Sequence, residues 1–421
     1  MKKHLLLVLT ISTVVFSCTE SRIKTLSLKN PLDISRNNEV VEIRFAELSE
    51  LTGEVKPEGR YVFLDGMDTL TSQNIDYDND GIIDEVLLEI SFSPGEEKAL
   101  KVISLSQDEF PVFPAKTNIR FAAHSDFNTE LNHAVREQTT DTEVTSKVFL
   151  MEGPAWENDR IGFRNYFDLR NGMDIFGKRI QAMVLDNVGV NENTRSAPDS
   201  LYGRNYHELN DWGMDILKVG NSLGAGALAL LVNDSLYRVG DNGNGSFERL
   251  YEGPLRSEFR FVFPDWKAGE NEYYITHYVS ITAGSNAYKS SVFIRSKEEG
   301  TDFVTGIVNL HSKDFIHTEL TGITDVFYTH DIQAFDEAYL TLALVMPAEQ
   351  VLDFLQTRED GDGITQTYYT RMKTEANTQL DYWFYAFWST ADKKYENPEN
   401  SIQAIRDEVI RRENPVEVII Q

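Results

Sequence analysis

In the segment "NYHELNDWGMDILKVGNSLGAG", residues 205–226, a tyrosine and a histidine stand side by side, followed by Asp211, Trp212, Asp215 and Lys218. Histidine is the side chain whose ordinary pKa lies nearest neutrality, which makes His207 a candidate general base. Tyr206 beside it is a candidate proton donor. Asp211 and Asp215 suit ordering such a site or binding hydroxyls, Lys218 adds a cation, and Trp212 offers an apolar face on which a sugar ring can stack. The glycines of "SLGAG" let a backbone approach a ligand or a neighbouring strand. The same residues also suit a tight connection between strands in which the histidine is simply hydrogen-bonded.

A second stretch, "EGPAWENDRIGFRNYFDLRNGMDIFGKR", residues 152–179, mixes aromatics, arginines and glycines without the period of a core strand or helix. From Arg160 onward the bases are Arg160, Arg164, Arg170, Lys178 and Arg179, against Asp168 and Asp174. The whole chain carries a formal net charge of -27, so this local basic excess points to a held carboxylate or other anion. Arginine grips a carboxylate with a two-pronged fork that lysine lacks. Trp156 is a second candidate stacking surface. Internal salt bridges closing a curved sheet are the alternative use of these residues. His277, in "YYITHYVSI", is a weaker candidate, expected on the concave face of a sandwich. The histidines have no metal-ligand spacing, and no glycine-rich phosphate loop precedes a helix.

The third stretch is "DYDNDGIIDE", residues 76–85. Asp76, Asp78, Asp80 and Asp84 stand at positions one, three, five and nine, with Gly81 at six. Alternate carboxylates converging on one ion around a sharp glycine turn are the rhythm of a calcium loop. Position twelve is Leu87, so the bidentate glutamate of a helix–loop–helix site is missing, and the flanks read as strands. The expectation is a structural calcium held by Asp76, Asp78, Asp80 and Asp84 between strands; an acidic hairpin without an ion is the alternative.

These residues need a scaffold. The chain has 421 residues and 41% hydrophobic content, enough for a large core and a second, smaller one. Alternating runs such as "DEVLLEISF", "SEFRFVFPDW", "YYITHYVSITAG", "AYLTLALVMP" and "DYWFYAFWS" predict strands. "EVVEIRFAEL" and "SKVFLM" are read the same way. One segment predicts a helix, residues 396–414, with Pro398 at its start and Arg411 and Arg412 where a helix dipole favours cations. The fold class expected is mainly β: a large antiparallel β-sandwich of the super-sandwich, galactose-mutarotase-like kind, preceded by a small β domain and closed by a C-terminal helix. The expected boundaries are 1–17 signal peptide, 18–37 tether, 38–125 small domain with the aspartate loop, and 126–421 sandwich.

The N-terminus, "MKKHLLLVLTISTVVFSC", has a basic start and about a dozen apolar residues, too few to span a bilayer. Cys18 is the one cysteine of the chain and closes that run, resembling a bacterial lipobox. The expectation is an exported protein anchored in a Gram-negative envelope by an acylated Cys18 and otherwise off the membrane. The acidic balance argues against nucleic acid as a partner.

Taken together, the two long motifs and the aspartate loop resemble DUF4861, a bacterial family of unknown function, from about residue 30 to the C-terminus. Members are exported, often lipid-anchored, and occur with enzymes that degrade complex, uronic-acid-rich polysaccharides. The resemblance implies a carbohydrate role without a catalytic assignment. Two classes of function remain. One is a lyase or hydrolase acting on acidic oligosaccharides. Elimination would use His207, Tyr206 and Arg164, with Arg164 or Arg170 neutralising a uronate. Hydrolysis would use a carboxylate pair from Glu157, Asp159, Asp211 and Asp215. The other is a non-catalytic glycan-binding lipoprotein using Trp156 and Trp212. The first requires the blocks around Arg164 and His207 to share one cleft.

Overall fold

A computed structural model describes residues 26–52, 59–136, 148–190, 205–241, 244–296, 301–373 and 377–420. The signal segment and Cys18 lie outside the described residues. The protein is mostly antiparallel β. The dominant element is a nine-stranded sheet in the order His133–Arg136, Gly245–Tyr251, Arg256–Ala268, Asn271–Thr282, Ala287–Ser296, Gln379–Trp388, Tyr339–Pro347, Thr324–Ile332, Ile316–Glu319. Two five-stranded sheets are packed against it. One runs Gly213–Asp215, Met173–Lys178, Ile161–Asn165, Ala155–Asn158, Thr117–Arg120; the other runs Ser235–Arg238, Ala225–Val232, Thr301–Val308, Thr367–Met372, Val351–Gln356. They meet edge to edge at a bridge between Met173 and Gly224. Gly224 has a φ of +63°, and a Cβ there would fall on the Met173 carbonyl, so this junction requires glycine. The result is a super-sandwich whose core includes Trp156, Phe163, Phe261, Tyr288 and Phe384.

The strands alternate as the pleat demands. In Asn271–Thr282, Tyr273, Ile275, His277, Val279 and Ile281 are buried, and the residues between them face outward. "SKVFLM" departs from expectation. Leu150–Glu152 is a 3₁₀ turn, with Met151 and Glu152 at positive φ, because the chain must turn sharply before Gly153. Likewise, the run read as one strand from Glu39 ends at Arg44, and Phe45–Thr52 continues as a helix.

A smaller unit has its own apolar core, which includes Leu26, Leu28, Ile43, Phe63, Val86 and Leu100. It combines a sheet ordered Glu417–Ile420, Leu26–Lys29, Glu97–Leu105, Arg60–Asp65, Asp68–Thr69 with a second ordered Arg36–Arg44, Glu85–Phe92, Ser72–Ile75. This shifts the expected boundaries. Residues 26–29, placed in the tether, are a buried strand. Thr117–Arg120, placed in the small domain, pairs with Ala155–Asn158 of the sandwich. Glu417–Ile420 returns to pair Leu26 with Ile420, so the first and last described strands close the small unit together. The C-terminal helix, Pro398–Glu413, is capped by Asn397 and buries Ile405 and Val409 against Val326, Tyr385 and Phe387 of the nine-stranded sheet.

Candidate functional site

The two motif blocks do meet. Strand Ile161–Asn165 turns Phe163 into the sandwich core and Arg164 to the opposite face, where the segments around Met151 and Tyr206 cover it. Arg164 Nη2 donates to Asp174 Oδ2 and Asp215 Oδ2, both at 2.7 Å, and to the Tyr166 hydroxyl at 2.9 Å. Its Nη1 reaches Tyr206 Oη at 3.2 Å and the Met151 carbonyl at 3.3 Å. His207 Nδ1 lies 3.3 Å from Asp215 Oδ2, and its side chain is half exposed. Burial pushes Asp174 up to about 6, helped by neighbouring Asp215 and opposed by Arg164. Burial likewise raises the Tyr206 hydroxyl against the pull of Arg164, so it stays protonated.

This geometry corrects several assignments. Arg164 cannot receive a substrate carboxylate, because it is fully buried and its donors are engaged by two aspartates, two hydroxyls and a carbonyl. Arg170 is likewise committed to Asp168 and Glu152 and lies 3.8 Å over the Tyr166 ring. Trp156 and Trp212 are buried in two different cores and offer no face to a sugar. His277 is inside the sandwich, not on an open concave face; its Nε2 lies 2.8 Å from Ser290 Oγ, and burial lowers its pKa to about 3. Glu157 holds Lys178 and accepts from the backbone N–H groups of Val184 and Leu185. Asp211 and Lys218 are exposed. Of these residues, His207 keeps both exposure and a buried carboxylate behind it.

The aspartate loop brings Asp76, Asp78 and Asp84 together, with one carboxylate oxygen of each within 4.8 Å of the others. A calcium ion bound at about 2.3–2.6 Å spans such a separation. Asp80 is outside that group and accepts from the backbone N–H of Ile82 at 2.7 Å.

The loop leads to a feature the motifs did not indicate. A groove of about 1290 Å³ opens between the small unit, the outer face of the nine-stranded sheet and the C-terminal helix. Sheet register sets one row of side chains across it: Glu258 opposite Ser280, Ser280 opposite Lys289, Lys289 opposite Trp383. Cross-strand partners share a face, so these four point into the groove together. At the Glu258 end, Arg256 is a hub. Its Nε donates to Tyr251 Oη at 2.9 Å, its Nη1 to Glu42 Oε1 at 2.7 Å, and its Nη2 to Tyr77 Oη at 2.9 Å and to Glu85. Desolvation raises Glu42, opposed by Arg256 and reinforced by adjacent Glu85, but the side chain stays largely exposed, so solvent screens the effect. Desolvation also raises Glu258, opposed by Arg256 and Lys289. Asp159 and Arg160 line the rim, so Arg160 is the one expected binding residue that reaches this groove.

A family model, described as "Domain of unknown function (DUF4861)", matches residues 28–418. The chain belongs to the DUF4861 family. This DUF4861 chain is also 25% identical over 327 residues to "Uncharacterized protein P7" of Formosa agariphila, covering 73% of each. In structure it is similar to a protein in the glycosyl hydrolase family 38 from Enterococcus faecalis, with a TM-score of 0.45 and 9% identity, covering 94% of this chain and 47% of the other. It is similar to an alpha-mannosidase from Enterococcus faecalis V583 with a TM-score of 0.49 and 9% identity, covering 94% and 46%. The chain thus spans about half the length of those solved structures.

The DUF4861 groove residues lie in segments that read only as alternating strands. In "SEFRFVFPDW" the polar Glu258 and Arg260 are legible as one outward face. That a second unit stands over this face, and converts it from solvated surface to groove wall, depends on contacts between distant segments such as Arg256 with Glu42.

Proposed function

We propose that this protein is a carbohydrate-active enzyme that cleaves acidic oligosaccharides in the groove between the small unit and the nine-stranded sheet. The observation that carries the reading is the Glu258–Ser280–Lys289–Trp383 row facing Glu42 and Tyr77 across Arg256. A sugar site needs an aromatic surface, cations or amides for orientation, and proton-transfer groups, and this row supplies all three. A carboxyl raised by desolvation, as Glu258 is, stays protonated closer to neutrality, which suits a general acid donating to a glycosidic oxygen. In this reading Glu258 handles protons, Lys289 and Arg256 fix local charge, and Trp383 offers a sugar ring only the face that Arg412 leaves uncovered.

The test is incubation of the purified protein with pectic and algal oligosaccharides, with products read by mass and ultraviolet absorbance. Hydrolysis adds water; elimination leaves an absorbing unsaturated sugar. Glu258→Gln should remove turnover while leaving binding largely intact. Binding without turnover in the wild type would make the protein a glycan-binding lipoprotein instead.

A second reading rests on His207. With Nδ1 facing Asp215, the outer ring nitrogen has no hydrogen-bond partner among the described residues and can act as a base, and Tyr206 adjoins the ring. If His207→Ala abolishes turnover and Glu258→Gln does not, the chemistry belongs there.

We also propose that the chain is exported and held in the cell envelope by an acylated Cys18. A calcium ion bound by Asp76, Asp78 and Asp84 would supply charge neutralisation that holds the loop carrying Tyr77.

A further inference from the structure

The far end of the groove row is built around one residue pair. The guanidinium carbon of Arg412, in the last turn of the C-terminal helix, lies 3.6 Å from the centroid of the Trp383 ring. One of its Nη groups donates to Tyr385 Oη at 3.4 Å. That hydroxyl in turn donates to Glu408 Oε1 at 2.8 Å. Among the described residues, no carboxylate oxygen lies within 4.0 Å of Arg412. The neighbouring groove cations are paired: Lys289 with Asp381 at 3.0 Å, Arg256 with Glu42 and Glu85, and Lys116 with Glu89.

Trp383 and Arg412 also line a second, more apolar cavity of about 570 Å³, walled by Gly322, Thr324, Met346 and Pro347. The stacked pair is therefore a partition with a cavity on each side. A guanidinium carbon 3.6 Å from an indole centroid is in stacking contact, and a stacked guanidinium keeps its N–H edge for in-plane acceptors; Arg412 lines both cavities. That planar edge suits a bidentate acceptor such as a carboxylate or a sulfate ester.

Resting on the groove as the glycan site, we infer that Arg412, stacked on Trp383, is the specificity-determining residue that receives an anionic substituent of the sugar. The anion sits three strand spacings from Glu258, about 14 Å at roughly 4.8 Å per strand. The charged ring is therefore not the one whose bond meets Glu258. It lies further along the oligosaccharide, and the protein selects on charge at a distance from the chemistry.

The test is calorimetric titration of the full chain with three probes of matched length: a uronate oligosaccharide, its carboxyl-reduced neutral counterpart, and a sulfated oligosaccharide. The wild type should prefer one anionic probe over the neutral one, and which one identifies carboxylate or sulfate as the recognised group. Arg412→Gln should cut that preference by about tenfold or more and leave the neutral probe's affinity unchanged. Arg412→Lys should restore part of the loss, since charge remains while the fork does not. Equal weakening of charged and neutral probes by Arg412→Gln, or no change in preference, would overturn the inference. Ser291→Trp, which places bulk in the groove beside the row, separates this from failure of the groove itself. If Ser291→Trp abolishes binding while Arg412→Gln leaves preference intact, only the anion subsite fails. If Ser291→Trp leaves binding intact, or no probe binds the wild type, the groove assignment fails and the subsite with it.

Discussion

His207 and Arg164 touch the same oxygen. Asp215 Oδ2 lies 3.3 Å from His207 Nδ1 and 2.7 Å from Arg164 Nη2, so a half-exposed histidine is tied to a fully buried guanidinium through one carboxylate. The consequence is asymmetric. Removing His207 takes away a surface partner, whereas removing Arg164 leaves Asp174 and Asp215 buried and facing each other without a cation. Breaking a buried ion pair from one side typically costs about 3–5 kcal/mol. Arg164→Ala should therefore lower the unfolding free energy by about 3–5 kcal/mol, and His207→Ala should change it by less than about 1 kcal/mol. Urea unfolding of the two variants side by side checks this. Equal effects would mean that the guanidinium is not the hub the distances describe.

His277 sets a second expectation, through pH. Its pKa is lowered from 6.5 to about 3 by burial in the sandwich core, so the folded protein holds it neutral while the unfolded chain protonates it near 6.5. Between those values the unfolded state binds more protons, and stability rises with pH. The contribution is fully present above pH 6.5 and is lost as pH falls toward 3. Raised carboxyls such as Asp174 oppose this slope, so the test is the difference: melting temperature should rise less, or fall more, with pH across this window in His277→Gln than in the wild type. An unaltered slope in that variant would move the effect to other groups.

How much of this was legible in the sequence differs by layer. Strands such as Asn271–Thr282 show the two-residue alternation because one face is core and the other is open. Residues 155–178 hide it because both faces are covered: every residue of Ala155–Asn158, Ile161–Asn165 and Met173–Lys178 is buried, with Arg164, Asp174, Glu157 and Lys178 paired under a second layer. Charge in that stretch was therefore visible as composition, but its use as internal neutralisation was not. The composition of the Arg164 and His207 blocks suggested one shared cleft; they do touch through Asp215, but Arg164 is buried there, so the contact is internal packing and not the open cleft expected. The groove was not anticipated, because Glu42, Arg256 and Trp383 are each unremarkable within their own strands and acquire meaning only when the small unit folds back over the sheet.

Anchoring is independent of the fold and can be tested alone. If the mature chain begins at an acylated Cys18, Cys18→Ser should move the protein from the membrane fraction to the soluble one on cell fractionation. Retention of the variant in the membrane would end the lipobox reading.

If the aspartate loop binds calcium as proposed, the ion is coupled to the groove through Tyr77. Tyr77 sits inside the loop: its backbone N–H donates to Asp84 Oδ2 at 2.6 Å, and its hydroxyl accepts from Arg256 at 2.9 Å. An ion drawing Asp76, Asp78 and Asp84 together therefore fixes the residue that reaches the Arg256 hub. Without it, three exposed or half-exposed carboxylates repel one another at the base of Tyr77. A ligand that binds only the native state raises stability by mass action, about 2.7 kcal/mol at a hundred times its Kd. Chelation should lower the melting temperature, calcium should restore it, and Asp76→Ala should abolish the response. Tyr77→Phe should keep the thermal response to calcium but uncouple it from glycan affinity, since the loop stays and the hydroxyl contact goes. If chelation leaves both the melting curve and glycan binding unchanged, the loop is an acidic hairpin and the groove is held by its ion pairs alone.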